Sequence, residues 1–186
     1  FAEEIPDGSA VFIGSSRPIR DVEGFAAPRT GLNIFANRGL AGIDGNLSTI
    51  FGISEKFKNT YALIGDLTFL HDLSALISAP KNSCKIFVVE NNGGGIFSTL
   101  PQAGVDGFEK IFGTPHNQSL SKIISGFGIN CELIKNESDL KRAINHQTQG
   151  LQIYILEVNE RDDMAKYLKE IYAKVSSAVR IGFNLA

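Results

Sequence analysis

Tryptophan is absent from this 186-residue sequence, methionine occurs once and cysteine only twice. Cys84 and Cys131 form no CxxC pair, and His71, His116 and His146 do not complete a four-ligand set at short spacing, which argues against a structural zinc site. Both cysteines border apolar runs, CKIFVV and CELI, and read as reduced core thiols. No run approaches the roughly 20 apolar residues of a membrane-spanning helix. The opening FAEEIPDGSA has neither the basic start nor the apolar stretch of a secretory leader. Positive charge is not in excess either. With 18 Lys+Arg against 20 Asp+Glu the formal charge is −2, which makes no case for nucleic acid or an anionic membrane as partner. A cytoplasmic protein is the expectation.

What the sequence does have is a hydrophobic fraction of 43% with 20% charged residues, enough to build a folded core rather than a disordered chain. Its length suits one ordinary domain. Short apolar runs at residues 10–14, 32–36, 61–65, 85–89, 132–135 and 151–158 read as strands. Helical patterns lie between them. Residues 45–57 put Leu47, Ile50, Phe51 and Ser54 on one face, and residues 67–79 align Leu70, Leu73, Ala75, Leu76 and Ile77. Residues 120–126, 138–147 and 162–176 continue the series. Ser138 with Asp139 is the expected cap of one helix, and Pro80 the stop of another. Strand alternating with helix predicts an α/β fold, a doubly wound, mostly parallel sheet with helices on both faces. Residues 1–9 read as the end of an upstream connector and 10–186 as the domain.

Ligands in such sheets bind beyond the carboxyl ends of the strands. The segments there are Gly14-Ser15-Ser16-Arg17-Pro18-Ile19-Arg20, residues 37–45 (NRGLAGIDG), Gly65-Asp66-Leu67-Thr68 and Asn91-Asn92-Gly93-Gly94-Gly95-Ile96-Phe97, all small, polar or glycine-rich. Gly65-Asp66 or Asn91-Asn92-Gly93 taken alone is an ordinary turn. At consecutive strand ends, with Asp66 and Asn91 separated by one crossover, they fit an oxygen-only shell for magnesium about as well. Thr68 opens a helix whose N-terminus favours an anion, and the glycines admit close backbone approach, so a diphosphate held through the metal is the ligand in view. The sequence has no GxxxxGK[ST], and residues 39–45 lack GxGxxG and its later acidic partner.

Three stretches carry a resemblance. Residues 37–49 (NRGLAGIDGNLST), 65–73 (GDLTFLHDL) and 91–102 (NNGGGIFSTLPQ) are similar to successive motifs of the thiamine-diphosphate enzymes, and within them to the 2-succinyl-5-enolpyruvyl-6-hydroxy-3-cyclohexene-1-carboxylate synthase family of menaquinone biosynthesis. The similarity is dense from about residue 13 to residue 102 and thins to a general α/β pattern afterwards.

The resemblance implies a C-terminal, diphosphate-binding domain whose pyrimidine-binding and central domains are not in this chain. It implies thiamine diphosphate and Mg²⁺ (or Mn²⁺) as cofactors. The reaction would be decarboxylation of 2-oxoglutarate and addition of the resulting carbanion to isochorismate, by a homodimer or homotetramer. Asp66, Asn91 and the Gly93 carbonyl match metal ligands. Ser16, Gly42, Ile43, Asp66, Leu67, Thr68 and Gly93, Gly94 and Gly95 match cofactor contacts, with Ile43 propping the cofactor in its bent shape. Arg20 and Arg38 match arginines that meet substrate carboxylates, and Ile96 and Phe97 an apolar wall near the reacting carbon. The catalytic glutamate of the family has no counterpart here, so the domain alone is expected to be inactive. Ser15, Arg17-Pro18, Ala41 and Glu90 depart from the family pattern without removing a metal ligand. Alternatives are another thiamine-diphosphate oxoacid decarboxylase and a non-catalytic α/β module. His71 reads as a structural hydrogen-bonding residue beside Asp72.

Overall fold

The computed structural model describes residues 1–158 and 161–183. By internal contacts these form two compact units, one of Phe1–Glu90 with Gln118–Val158 and one of Asn91–Asn117 with residues 161–183.

The first unit is built on β1 (Ala10–Ile13), β2 (Asn33–Phe35), β3 (Asn59–Gly65), β4 (Ser83–Glu90), β5 (Cys131–Ile134) and β6 (Leu151–Glu157). They form one sheet in the order β2-β1-β3-β4-β6-β5, and every pairing is parallel. Alternation along the strands sends side chains to two cores. Phe12, Ala62, Ile64, Ile86, Val88, Ile153 and Ile155 face one side. Val11, Ile13, Tyr61, Leu63, Phe87 and Tyr154 face the other. Each fully buried Phe, Ile or Val in these layers is worth roughly 1.5–3 kcal/mol, and covering both faces explains why the strands read as continuous apolar runs.

The helices follow from the same patterning. α1 (Arg17–Phe25) and α5 (Glu137–Asn145) lay Ile19, Val22, Leu140, Ala143 and Ile144 on the second core. α2 (Asn46–Ser54), α3 (Asp66–Leu70) and α4 (Leu120–Gly126) supply Leu47, Ile50, Phe51, Phe69, Leu120 and Ile124 to the first. Leu47, Ile50, Phe51 and Ser54 are all buried, as the helical spacing predicted.

Four details differ from the sequence reading. Residues 17–25 form a helix where a loop was read, because Pro18 fits the first turn and Arg17 pairs with Asp21 one turn on. β2 is an exposed edge with Ile34 57% accessible, not a strand buried on both faces. The helix read over 67–79 is two pieces, α3 and a 3₁₀ helix Leu73–Ser78, and the altered spacing turns Ile77 out to 81% exposure. The cap of α5 is Asn136 rather than Ser138. Its side chain accepts from the Asp139 N–H at 2.9 Å, while Asp139 accepts from the Lys135 N–H at 3.3 Å, a reciprocal arrangement that starts the helix earlier.

The first residues dock on this unit. Ile5 is buried and Phe1 meets Phe87 edge-on, with ring centroids 5.1 Å apart. Arg29 fastens the segment by donating to the carbonyls of Ala2 at 2.7 Å and Ile5 at 2.8 Å.

The second unit comprises Asn91–Asn117 and helix α6 (Arg161–Gly182). Its loop is pinned at the base: Asn92 donates to Asn117 Oδ1 at 2.9 Å, and the Asn117 N–H returns a bond to Asn92 Oδ1 at 2.8 Å. Within it, Phe97 and Phe108 pack on Phe112, and Arg161 bonds Glu109 at 2.6 Å.

Candidate functional site

The sheet order reverses between β1 and β3. From β1 the chain moves outward to β2, and from β3 it moves the other way to β4, which makes the carboxyl ends of β1 and β3 the switch point where a crevice opens. Gly14-Ser15-Ser16 and Gly65-Asp66 occupy those ends. The approach is close at Gly14. Its N–H donates to the Leu63 carbonyl at 2.8 Å, and a Cβ there would lie 3.1 Å from the Ile64 side chain. Ser16 follows at φ 72°, a conformation few non-glycine residues adopt, and Arg20 reaches back to its carbonyl at 2.7 Å.

Asp66 opens α3 and is only 2% exposed, with Oδ1 accepting the Leu67 N–H at 2.6 Å. Thr68, in the same first turn, is also buried. A carboxylate at a helix N-terminus is stabilised there by the exposed amides and the helix dipole.

Residues 37–45 form a loop that is braced by side chains of its own and of the first turn of α2. Asn37 donates to Thr49 Oγ1 at 3.2 Å and Thr49 donates to the Gly45 carbonyl at 2.9 Å. Asn46, fully buried, donates to the Asp44 carbonyl at 3.0 Å while its own Oδ1 has no hydrogen-bond partner. Gly42 and Ile43 are half-buried within this loop. A Cβ on Gly42 would fall 2.6 Å from Asp44 Oδ1, so a side chain there would require the exposed Asp44 carboxylate to swing aside. Arg38 is exposed and makes no ion pair among the described residues. The three rim arginines therefore divide. Arg17 pairs with Asp21, whose carboxyl burial pushes up and Arg17 pulls back, whereas Arg20 donates to a backbone carbonyl and Arg38 is exposed.

The glycine run lies in the second unit. The Gly94 N–H donates to the Gly113 carbonyl at 2.7 Å and the Gly95 N–H to the Gly93 carbonyl at 2.9 Å. Gly93 sits at φ 134°, and a Cβ on it would come within 2.2 Å of the Gly113 carbonyl. Gly95 leaves room for the Asn91 amide, which a Cβ would meet at 2.4 Å. These glycines thus serve close packing of the segment on itself, and two of their amides are engaged by protein. Ile96 and Phe97 are half-buried, with Phe97 against Phe112 at 5.4 Å.

His71 is exposed, and its imidazole makes no hydrogen bond among the described residues. Asp72 beside it bonds Ser48 instead, a pairing the sequence reading missed because only the fold brings residues 24 positions apart together. A separate cleft of about 290 Å³, lined by Lys58, Tyr61, Lys85, His146 and Thr148 among others, opens at the amino ends of β3 and β4 and contains none of the predicted site residues. There Lys85 Nζ donates to the carbonyls of Ile144, at 2.6 Å, and His146, closing the end of α5. Among the described residues no three His, Cys, Asp or Glu side chains gather to hold a metal ion, and no helix is long and apolar enough to cross a membrane.

The architecture is shared with a solved protein from Mycobacterium smegmatis assigned as a thiamin diphosphate-dependent enzyme. The two superpose with a TM-score of 0.62 at 21% identity, over 84% of this chain and 29% of that one. The two proteins thus share one α/β fold. No protein-family model matches the chain, but curated sequences do. The 2-succinyl-5-enolpyruvyl-6-hydroxy-3-cyclohexene-1-carboxylate synthase of Thermobifida fusca is 37% identical over 96% of this chain and 33% of its own length. The synthase of the same name from Oceanobacillus iheyensis is 43% identical over 82% of this chain and 27% of its own length. That of Lysinibacillus sphaericus is 50% identical over 60% and 20% respectively. By sequence this chain belongs with these synthases, and it spans about a third of the length of the curated relatives it matches.

Proposed function

We propose that this chain is the C-terminal, diphosphate-binding domain of a longer synthase that uses thiamine diphosphate and Mg²⁺ (or Mn²⁺). Its substrates are 2-oxoglutarate and isochorismate, and it works as a homodimer or homotetramer in the cytoplasm. The observation that carries this reading is the buried Asp66 carboxylate at the start of α3, on the switch point of the sheet.

The donor set suits the metal. Asp66, the Asn91 side-chain oxygen and the Gly93 carbonyl are hard oxygen ligands, which magnesium prefers to nitrogen or sulfur. Bound thiamine diphosphate would supply stabilisation of negative charge on a former carbonyl carbon, which permits loss of a carboxylate as CO₂.

The chain's own residues have other tasks. Thr68 and Leu67 offer first-turn groups of α3 to phosphate oxygens, and Ser16 does so from the end of β1. Ile43 supports the cofactor from the braced loop beside Gly42. The engaged amides of Gly94 and Gly95 reach a phosphate only by exchanging their present carbonyl partners. Arg20 and Arg38 present planar, permanently charged donors to carboxylates, and Ile96 and Phe97 exclude water from the reacting carbon. In this reading the glutamate that activates the cofactor belongs to another domain of the full-length synthase, and the isolated chain is inactive.

The test is isochorismate consumption with 2-oxoglutarate by the full-length protein, alongside titration with thiamine diphosphate and Mg²⁺. Asp66→Ala should weaken cofactor binding by a factor on the order of 100 or more, since it removes a metal ligand. Arg38→Ala should leave cofactor binding intact and raise the KM for a carboxylate substrate about 10- to 100-fold, the worth of a charged hydrogen bond. Tight cofactor binding by Asp66→Ala would defeat the metal clamp. Unchanged KM in Arg38→Ala would point to a different oxoacid enzyme.

A further inference from the structure

α2 begins without a cap of its own. Its N-cap residue is Gly45, at φ 65°, where no side chain can turn back to the first-turn amides. A helix start leaves such N–H groups in need of acceptors. One of them is met from elsewhere: the Ser48 N–H donates to Asp72 Oδ2 at 2.8 Å, and Ser48 Oγ lies 3.2 and 3.3 Å from the two carboxylate oxygens. Asp72 thus does for α2 what an N-cap aspartate does for its own helix, and its negative charge faces the favourable end of the dipole.

Asp72 belongs to another element. It stands two residues past α3, with its N–H on the Phe69 carbonyl at 3.4 Å, and the neighbouring His71 N–H bonds the Leu67 carbonyl at 3.0 Å. The other side-chain bonds of residues 37–49 do not reach α3. Asn46 to Asp44, Asn37 to Thr49 and Thr49 to Gly45 run within the loop and the first turn of α2, and Ser15, after β1, donates to the Asn37 carbonyl at 3.4 Å. They give the loop its shape and tie it to the end of β1 but do not bond it to α3. The Asp72–Ser48 pair joins the two, and so links the loop that carries Gly42 and Ile43 to the helix that carries Asp66 and Thr68.

We propose that Asp72 is a positioning residue: by capping α2 from the far end of α3 it holds the Ile43 loop and the Asp66 helix in one fixed relation. Its purpose rests on the reading above, that both segments contact thiamine diphosphate. The clamp itself does not depend on that reading.

The two parts are tested separately in the full-length protein, as wild type, Asp72→Ala and Asp72→Asn. Amide hydrogen exchange without cofactor reports the clamp. Thiamine diphosphate titration with Mg²⁺, well below the melting temperature, reports its use. In Asp72→Ala, Ser48 and its neighbours at 45–49 should exchange about tenfold faster and the cofactor Kd should rise about tenfold, the equivalent of one lost cap. Asp72→Asn keeps an acceptor oxygen, so both quantities should stay within about threefold of wild type. It also serves if the alanine variant does not fold. Unchanged exchange in Asp72→Ala overturns the clamp, as does an asparagine variant as loose as the alanine one. Faster exchange with unchanged Kd reduces Asp72 to a stability cap and overturns the positioning role. Failure of wild type to bind thiamine diphosphate defeats the functional reading and with it the purpose assigned here, while the exchange data still judge the clamp.

Discussion

Asn37, at the start of a loop, and Thr49, in the α2 helix that follows it, share a hydrogen bond of 3.2 Å, and the same Thr49 hydroxyl donates onward to the Gly45 carbonyl at 2.9 Å. One hydroxyl thereby closes the loop and ties it to the first turn of α2. Thr49→Val keeps the shape of the side chain and removes both bonds. The expected cost is about 1–3 kcal/mol, read as a lower denaturation midpoint, with Thr49→Ser recovering most of it. A valine variant as stable as wild type would show that the relay contributes nothing.

Two glycines should respond to alanine in opposite directions. Gly52 lies within α2 and a Cβ on it would meet nothing within 4 Å. Gly52→Ala should therefore stabilise by roughly 0.5–1 kcal/mol, through helix propensity and a less flexible unfolded chain. Gly93→Ala would drive a Cβ to 2.2 Å from the Gly113 carbonyl at φ 134°. It should open the 91–117 segment to limited proteolysis. Equal protease resistance in wild type and Gly93→Ala would contradict the packing described.

The neighbours Cys84 and Lys85 point to opposite faces of β4 and give opposite pH linkages. Burial lowers the Lys85 ammonium to about 8 from 10.5. Between those values the unfolded chain binds a proton that the folded one has released, so this group makes stability rise with pH. Burial raises the Cys84 thiol to about 12 from 9, so from pH 9 upward the folded state holds the extra proton and stability falls. Lys85 acts first. Its contribution should grow by about 1 kcal/mol from pH 8 to 9, and Lys85→Met should lose that rise. Identical pH profiles for the two proteins in chemical denaturation would remove Lys85 as the cause.

The centre of the sheet was legible because β1, β3 and β4 are buried on both faces and so read as unbroken apolar runs. Ala10–Ile13, Asn59–Gly65 and Ser83–Glu90 each lie within three residues of the runs that announced them. α1 was not legible, since Pro18 and the arginines resemble a loop until Ile19 and Val22 find the core. The cap of α5 was misplaced for a related reason: Asn136, Ser138 and Asp139 can all cap, and only backbone direction chooses among them. At the candidate site, the residues after each strand were visible as motifs. Asp72 and Asn37 were not, because their partners are set by the meeting of separate segments.

The order β2-β1-β3-β4-β6-β5 gives β4 its second neighbour late in the sequence, with Cys84 registered against Leu151. Until residues 151–157 have been synthesised and docked, KIFVV presents an open row of amides and carbonyls flanked by apolar side chains. That is the profile of a segment that recruits identical strands from neighbouring molecules. Nascent or prematurely terminated forms ending before Leu151 should therefore be the ones most prone to aggregate.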